Sequence, residues 1–103
     1  MVVRTWRGVA KREQADAYVR HLQDDTFPSL DKIHGFVSAA IWRRDVGVGV
    51  EFMIVTRWES IDAIRQFAGE PVDTAMVPPE VRAMMLTYDE TVAHYEVADL
   101  TPR

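Results

Sequence analysis

The sequence predicts a single α+β domain of the ferredoxin-like, split βαβ plan: a four-stranded antiparallel sheet with helices on one face. The periodicity runs strand, helix, strand, strand, helix, strand, with no repeat or linker between elements. A glycine-containing reversal joins the two middle strands as a hairpin, and 103 residues are too few for two independent cores.

Residues 2–10, rich in Val, Thr and Trp and free of Pro, read as the first strand, with Val3, Thr5, Arg7 and Val9 on one face and Arg4, Trp6 and Gly8 on the other. From Arg12 the period changes. Ala15, Tyr18, Val19 and Leu22 fall at i, i+3, i+4 and i+7, one stripe of a helix that weakens near Asp24–Thr26 and is expected to break at Phe27–Pro28. Leu30 and Ile33 then anchor a short polar segment, and Gly35 is expected at a backbone angle other residues resist.

Residues 36–44 and 49–58 form the hairpin around Asp45, Val46, Gly47 and Val48. Ser60 suits an N-cap, Asp62 suits the first turn, Ile61, Ile64, Phe67 and Ala68 make the stripe, and Gly69 ends the second helix. Pro78 and Pro79 can start another helical turn, with Val81, Met84 and Met85 on its apolar edge, and residues 91–97 close the domain as the last strand.

In a monomer of this plan the sheet face opposite the helices should be polar. Here strict alternation puts Phe36, Ala40 and Trp42 on one face of the hairpin and Val37, Ala39 and Ile41 on the other. On its partner strand, Val50, Phe52 and Ile54 oppose Met53 and Val55, so both faces are largely apolar. The simplest cover is the same face of a second copy, and a homodimer with facing sheets is expected.

Twelve Lys and Arg against sixteen Asp and Glu give a net charge of −4, which disfavours nucleic acid and anionic membranes as partners. Without Cys there is no disulfide framework, thiolate nucleophile or iron–sulfur cluster. The N-terminus lacks a signal-peptide core and no apolar run could span a bilayer, so a cytoplasmic protein is expected. No phosphate loop, nucleotide fingerprint or nucleophile elbow is present, so no bound cofactor is expected. The three His residues have no metal-binding spacing, so no metal is expected either.

The segment VEFMIVTRWESIDAIRQFAG, residues 50–69, together with the element order and the ending HYEV, resembles the antibiotic biosynthesis monooxygenase (ABM) family of dimeric α+β barrels. The resemblance spans nearly all of residues 1–103 and implies a dimer. The family's members are cofactor-free oxygenases of polycyclic aromatic phenols, haem-degrading enzymes and many proteins of unknown role, so the resemblance implies one of these. In the aromatic oxygenases the turn Trp lines the pocket with an Asn four residues before it and a Tyr six after it. Trp58 matches, whereas Ile54 and Ile64 hold the other positions. The haem degraders' Trp and His fall on Phe67 and Val77, and the chain has no Asn anywhere, so haem degradation by that arrangement is not expected.

Cofactor-free oxygenation needs a dry pocket around an electron-rich phenol and a base that takes its proton. His94 on the last strand and His34 in a loop are the candidate bases. Trp58, Trp6, His21, Tyr88 and Met85 are the candidate substrate-binding residues, with Met76 and Met84 as further apolar lining. Among the strand arginines Arg4, Arg7, Arg43, Arg44 and Arg57, an inward one would hold a phenolate or carboxylate, while cross-strand pairing with Glu51 or Glu96 is the plainer role. The expected function is a cofactor-independent monooxygenase acting on a small aromatic. The alternative is a non-catalytic dimeric module of the same fold that binds a small hydrophobic ligand or a partner.

Overall fold

The computed structural model describes residues 1–101. Its sheet is organised around β1 (Val2–Ala10), whose β-branched and aromatic content without proline suits an inner strand. β2 (Phe36–Asp45) and β3 (Val50–Trp58) form the predicted hairpin, closed where the Gly47 amide donates to Asp45 Oδ1 at 2.8 Å and Gly47 takes φ 86°. β3 then lies antiparallel along the whole of one edge of β1, with Val2 opposite Trp58 and Ala10 opposite Val50.

Two short strands share the other edge of β1. β4 (Met85–Tyr88) pairs with residues 8–10, and β5 (Ala93–Glu96) pairs with residues 2–5. The sheet thus has five strands in the order β2-β3-β1-β4, with β5 also on β1. The split βαβ architecture stands, with its fourth strand position filled by two segments in place of one run over 91–97. β4 escapes the sequence pattern because Met85 follows directly on a helical turn and reads as its apolar edge.

The first helical region departs from the expectation of a break at Phe27–Pro28. A 3₁₀ turn at Arg12–Gln14 leads into α1 (Ala15–His21), a π-helical turn covers Leu22–Thr26, and α2 (Phe27–Asp31) continues the arm. In a regular helix the ring of Pro28 would collide with the carbonyl four residues back. The wider π turn just before it relieves that contact, and the Ser29 hydroxyl donates to the Asp25 carbonyl at 3.0 Å. The extra residue in the turn also keeps Leu22, Thr26 and Leu30 on the inner side of the arm.

α3 (Ile61–Ala68) matches its predicted limits, with the Ser60 hydroxyl accepting from the Ala63 amide at 3.2 Å and Gly69 at the C-cap. α4 (Pro79–Met84) buries Val81. Among the described residues no helix is long and apolar enough to cross a membrane.

The hairpin faces need one correction. A bulge at Val37 shifts the register, so that Phe36 opposes Trp58 while Ala39 and Ile41 oppose Thr56 and Ile54. Phe36, Ala39 and Ile41 therefore share the helix-covered face, and Ala40 and Trp42 lie on the open one. That open face carries Val9, Met53 and Val55 beside Trp42, which is 62% exposed.

Two buried clusters fill the space between sheet and helices. One gathers Tyr18, Leu22, Phe52, Val81 and Met85, and the other Leu30, Trp58, Ala63 and Ile64. At the join between α3 and β2, Gly35 takes φ 94°, and a Cβ there would stand 2.6 Å from the Cβ of Ala63. Gly35→Ala is expected to lower stability by about 1–3 kcal/mol, read as a shift in the urea midpoint at unchanged slope.

Candidate functional site

Between the two clusters lies a cavity of about 90 Å³. Its walls follow from the strand alternation and the arm just described. β1 contributes Arg4 and Trp6, β3 contributes Ile54 and Thr56, and the arm contributes Tyr18, His21, Leu22, Thr26 and Leu30. Phe67 from α3, Val81 from α4, and Met76, Pro78 and Val92 from the connecting segments complete it. The lining is mostly apolar, with a few polar groups converging from β1, β3 and the arm.

Arg4 is 5% exposed and anchors one end. Its Nη1 donates to the Val72 carbonyl at 2.8 Å and lies 3.0 Å from His94 Nε2, its Nη2 donates to the Thr74 carbonyl at 3.1 Å, and its guanidinium sits 5.6 Å from the centroid of the Phe67 ring. His94 Nδ1 lies 3.2 Å from Asp73 Oδ1. With Arg4 donating to Nε2, the proton of a neutral His94 belongs on Nδ1, facing Asp73. Burial, together with the neighbouring Arg4 charge, holds the His94 pKa below its ordinary value, and burial lowers that of Arg4.

At the other end Tyr18 is 2% exposed, its ring edge-on to Phe52 at 4.9 Å, and burial raises its hydroxyl pKa. Among the described residues its hydroxyl makes no hydrogen bond within the protein. His21 lines the same end, with Nδ1 3.3 Å from Asp25 Oδ2 one turn along the arm. The Trp6 indole is held by Nε1 donating to the Asp89 carbonyl at 2.7 Å and packs near Tyr18 and Tyr88. Among the described residues no group of three or more His, Asp or Glu is gathered in a way that could hold a metal ion.

A family model described as antibiotic biosynthesis monooxygenase matches residues 1–78. The chain belongs to that family. The ABM fold is shared with SnoaB, a cofactor-independent oxygenase from Streptomyces nogalater, at 17% identity over 99% of this chain and 97% of that one, with a TM-score of 0.70. ActVA-Orf6, a monooxygenase from Streptomyces coelicolor solved with nanaomycin D, is similar at 16% identity over 99% and 92% of the two chains, with a TM-score of 0.64. The haem degrader MhuD from Mycobacterium tuberculosis, solved with two haems in its active site, is similar at 19% identity over 98% and 100%, with a TM-score of 0.59. No curated protein matches the chain.

Against this ABM frame the sequence-predicted residues divide. Trp6 and His21 line the cavity, as does Met76. Trp58 does not: fully buried, it donates from Nε1 to the Thr56 hydroxyl at 2.9 Å and stacks on Phe67 at 6.1 Å, one layer behind the wall. Tyr88 and Met85 support the wall from behind, Tyr88 against Trp6 and Met85 within the first cluster. His94 lies outside the lining and reaches the cavity only through Arg4. His34 is exposed in the turn before β2, away from the cavity, because Gly35 turns the chain outward there. Ile54, at the position of the oxygenases' Asn, is a wall residue.

Sequence reasoning did not single out Tyr18, Thr26 or Thr56. Tyr18 reads as one more apolar position of a helical stripe. Thr26 reaches the cavity through the π turn, which has no sequence period of its own.

The Arg4–His94 contact needs an unprotonated Nε2. Because the folded pKa of His94 is lowered from 6.5, the contact contributes stability present above pH 6.5 and lost as pH falls through the folded value. The melting temperature is expected to fall over that window, and His94→Gln is expected to flatten the fall.

Proposed function

We propose that this chain is a single-domain, cytoplasmic, homodimeric and cofactor-independent monooxygenase that oxidises a small electron-rich aromatic in the cavity between sheet and arm. The observation that carries the reading is a mostly apolar, partly open cavity, into which a few polar groups converge, in a member of a monooxygenase family. The rings of Trp6 and Phe67 suit the faces of a planar substrate.

In this reading the base is His21 in place of His94 or His34, since His94 Nε2 is occupied by Arg4 and His34 is remote. Asp25 at Nδ1 holds the imidazole so that Nε2 takes the phenolic proton: the O–H bond breaks, an N–H bond forms, and the electron pair stays on the substrate oxygen. The Tyr18 hydroxyl donates to a second substrate oxygen. The resulting electron-rich anion is the species that reacts with O₂.

One observation favours a second reading. Ile54 occupies the place of a polar residue of the aromatic oxygenases, and a cavity without that group suits a module that binds a hydrophobic ligand without turning it over.

O₂ uptake by chelator-treated protein supplied with anthrones and hydroquinones separates the two. The oxygenase reading expects saturable uptake, lowered about 100-fold or more in His21→Ala at unchanged melting temperature. Ligand binding without uptake across the panel favours the module.

For the dimer, the apolar open face around Trp42, Met53 and Val55 is the proposed interface. Light scattering is expected to give about twice the 11.8 kDa chain mass, and Trp42→Glu is expected to shift the protein toward monomer.

A further inference from the structure

The ion-paired arginines of this chain lie near the surface: Arg7 and Arg44 meet Glu51, Arg12 meets Asp45, Arg43 meets Asp16, and Arg65 meets Asp62 and Glu70. Arg4 is the one charged residue among the buried ones, and among the described residues no carboxylate lies within ion-pair distance of it.

The partners of Arg4 are all neutral: the Val72 and Thr74 carbonyls, His94 Nε2 and the face of Phe67. Asp73 hydrogen-bonds to the His94 ring and attracts the Arg4 charge from beyond it, without an ion-pair contact. A buried guanidinium without an anion is disfavoured by desolvation, and three neutral acceptors offset that only in part. Its Nε–H and one Nη2–H have no protein acceptor among the described residues, and Arg4 lines the cavity.

No acidic side chain lines that cavity. Among the described residues two carboxylates stand near lining groups: Asp25, which is exposed and engaged with His21, and Asp73, which attracts Arg4 from beyond His94. Trp6, two residues along β1 and on the same face, offers a ring surface beside the cation. The cavity is therefore mostly apolar, with an aromatic wall, and at its end carries a buried positive charge that no carboxylate among the described residues touches directly.

We propose that this cavity selects aromatic monoanions, with the ligand's anionic oxygen, carboxylate or ionised hydroxyl, supplying the missing partner of Arg4. The inference rests on the cavity being the ligand site, and it assigns a substrate class within the oxygenase reading. Arg4's remaining N–H groups give the anionic oxygen a charge-assisted bond in a low-dielectric setting, where such bonds are strongest.

The test is calorimetric titration of the wild-type protein at neutral pH with two matched pairs. One is 2-naphthoate against 2-naphthamide, the other 2-hydroxy-1,4-naphthoquinone, which is ionised at that pH, against its methyl ether. The expected result is that at least one anion binds about tenfold or more tightly than its neutral partner. Which pair shows the preference identifies the carboxylate or the ionised hydroxyl as the source.

In Arg4→Gln the preference is expected to disappear while the affinity for the neutral partner stays within a few-fold. In Arg4→Lys, which keeps the charge without the fork, part of the preference is expected to remain. If Arg4→Gln fails to fold, the wild-type comparison still decides. Neutral partners binding as tightly as the anions, or no binding in either pair, overturns the proposal. Anion preference without O₂ uptake overturns only the oxygenase reading, and O₂ uptake without anion preference overturns only this one.

Discussion

The Arg4 guanidinium ties together parts of the chain that the β1–β5 pairing and the second buried cluster bring close. From the middle of β1 it reaches the carbonyls of Val72 and Thr74, draws in His94 from β5, and lies over Phe67 of α3. The segment between α3 and α4 has little regular structure, so its backbone carbonyls need partners from elsewhere. Arg4 supplies those of Val72 and Thr74, while the Val92 amide donates to the Asp73 carbonyl and the Ala75 amide to the Glu90 carbonyl, and together these contacts set the position of the segment that closes the cavity. The same cation is both a clamp for the loop and the strongest electrostatic feature of the site. An arginine is suited to both roles because its planar fork can hold several acceptors at once and still present a free edge.

The opposite wall depends on the arm. A straight helix ending at Leu22 would leave the sheet half covered, and a regular helix through Pro28 would be strained. The π turn resolves both. It carries the chain past the proline and brings Thr26 and Leu30 round to the side already occupied by Tyr18, His21 and Leu22. The helix-facing side of the sheet and the inner side of the arm then enclose a space that the two core clusters do not fill. Close packing is the rule in protein interiors, and the volume bordered by Arg4, Tyr18 and His21 is where this fold departs from it.

The likeness to SnoaB, ActVA-Orf6 and MhuD is a likeness of fold at below 20% identity, and members of this family carry different side chains into the same space. In this chain Trp58 keeps the turn position but works as a core residue, anchored to Thr56 and stacked behind Phe67. The aromatic surface in the wall comes instead from Trp6, held in place through Asp89. The polar groups come from β1, the arm and Thr56 of β3, whereas the oxygenase pattern places its Asn where Ile54 stands.

How much of this could be read without coordinates follows from the range of the interactions involved. The hairpin, the Ser60 cap, the limits of α3 and the unusual backbone at Gly35 are decided by residues within a few positions of one another, and the sequence alone determined them. The placing of Val9, Met53 and Val55 on one face was legible for the same reason, since alternation is a local property, but that face also carries Arg7 and Arg44 paired with Glu51. The bulge at Val37 was not, because register depends on the strand across the sheet, and it moved Phe36 to the side of Ile41. The division of the last strand into β4 and β5 likewise depends on how much of β1 each segment meets. The site itself was decided by tertiary structure alone. Arg4 and His94 lie 90 residues apart in sequence, and Tyr18, Ile54 and Val81 share a wall only because the sheet and arm bring them there. Burial turned Trp58 from a candidate ligand contact into core and left Arg4 as a cation without an anion, and burial is a property of the whole fold.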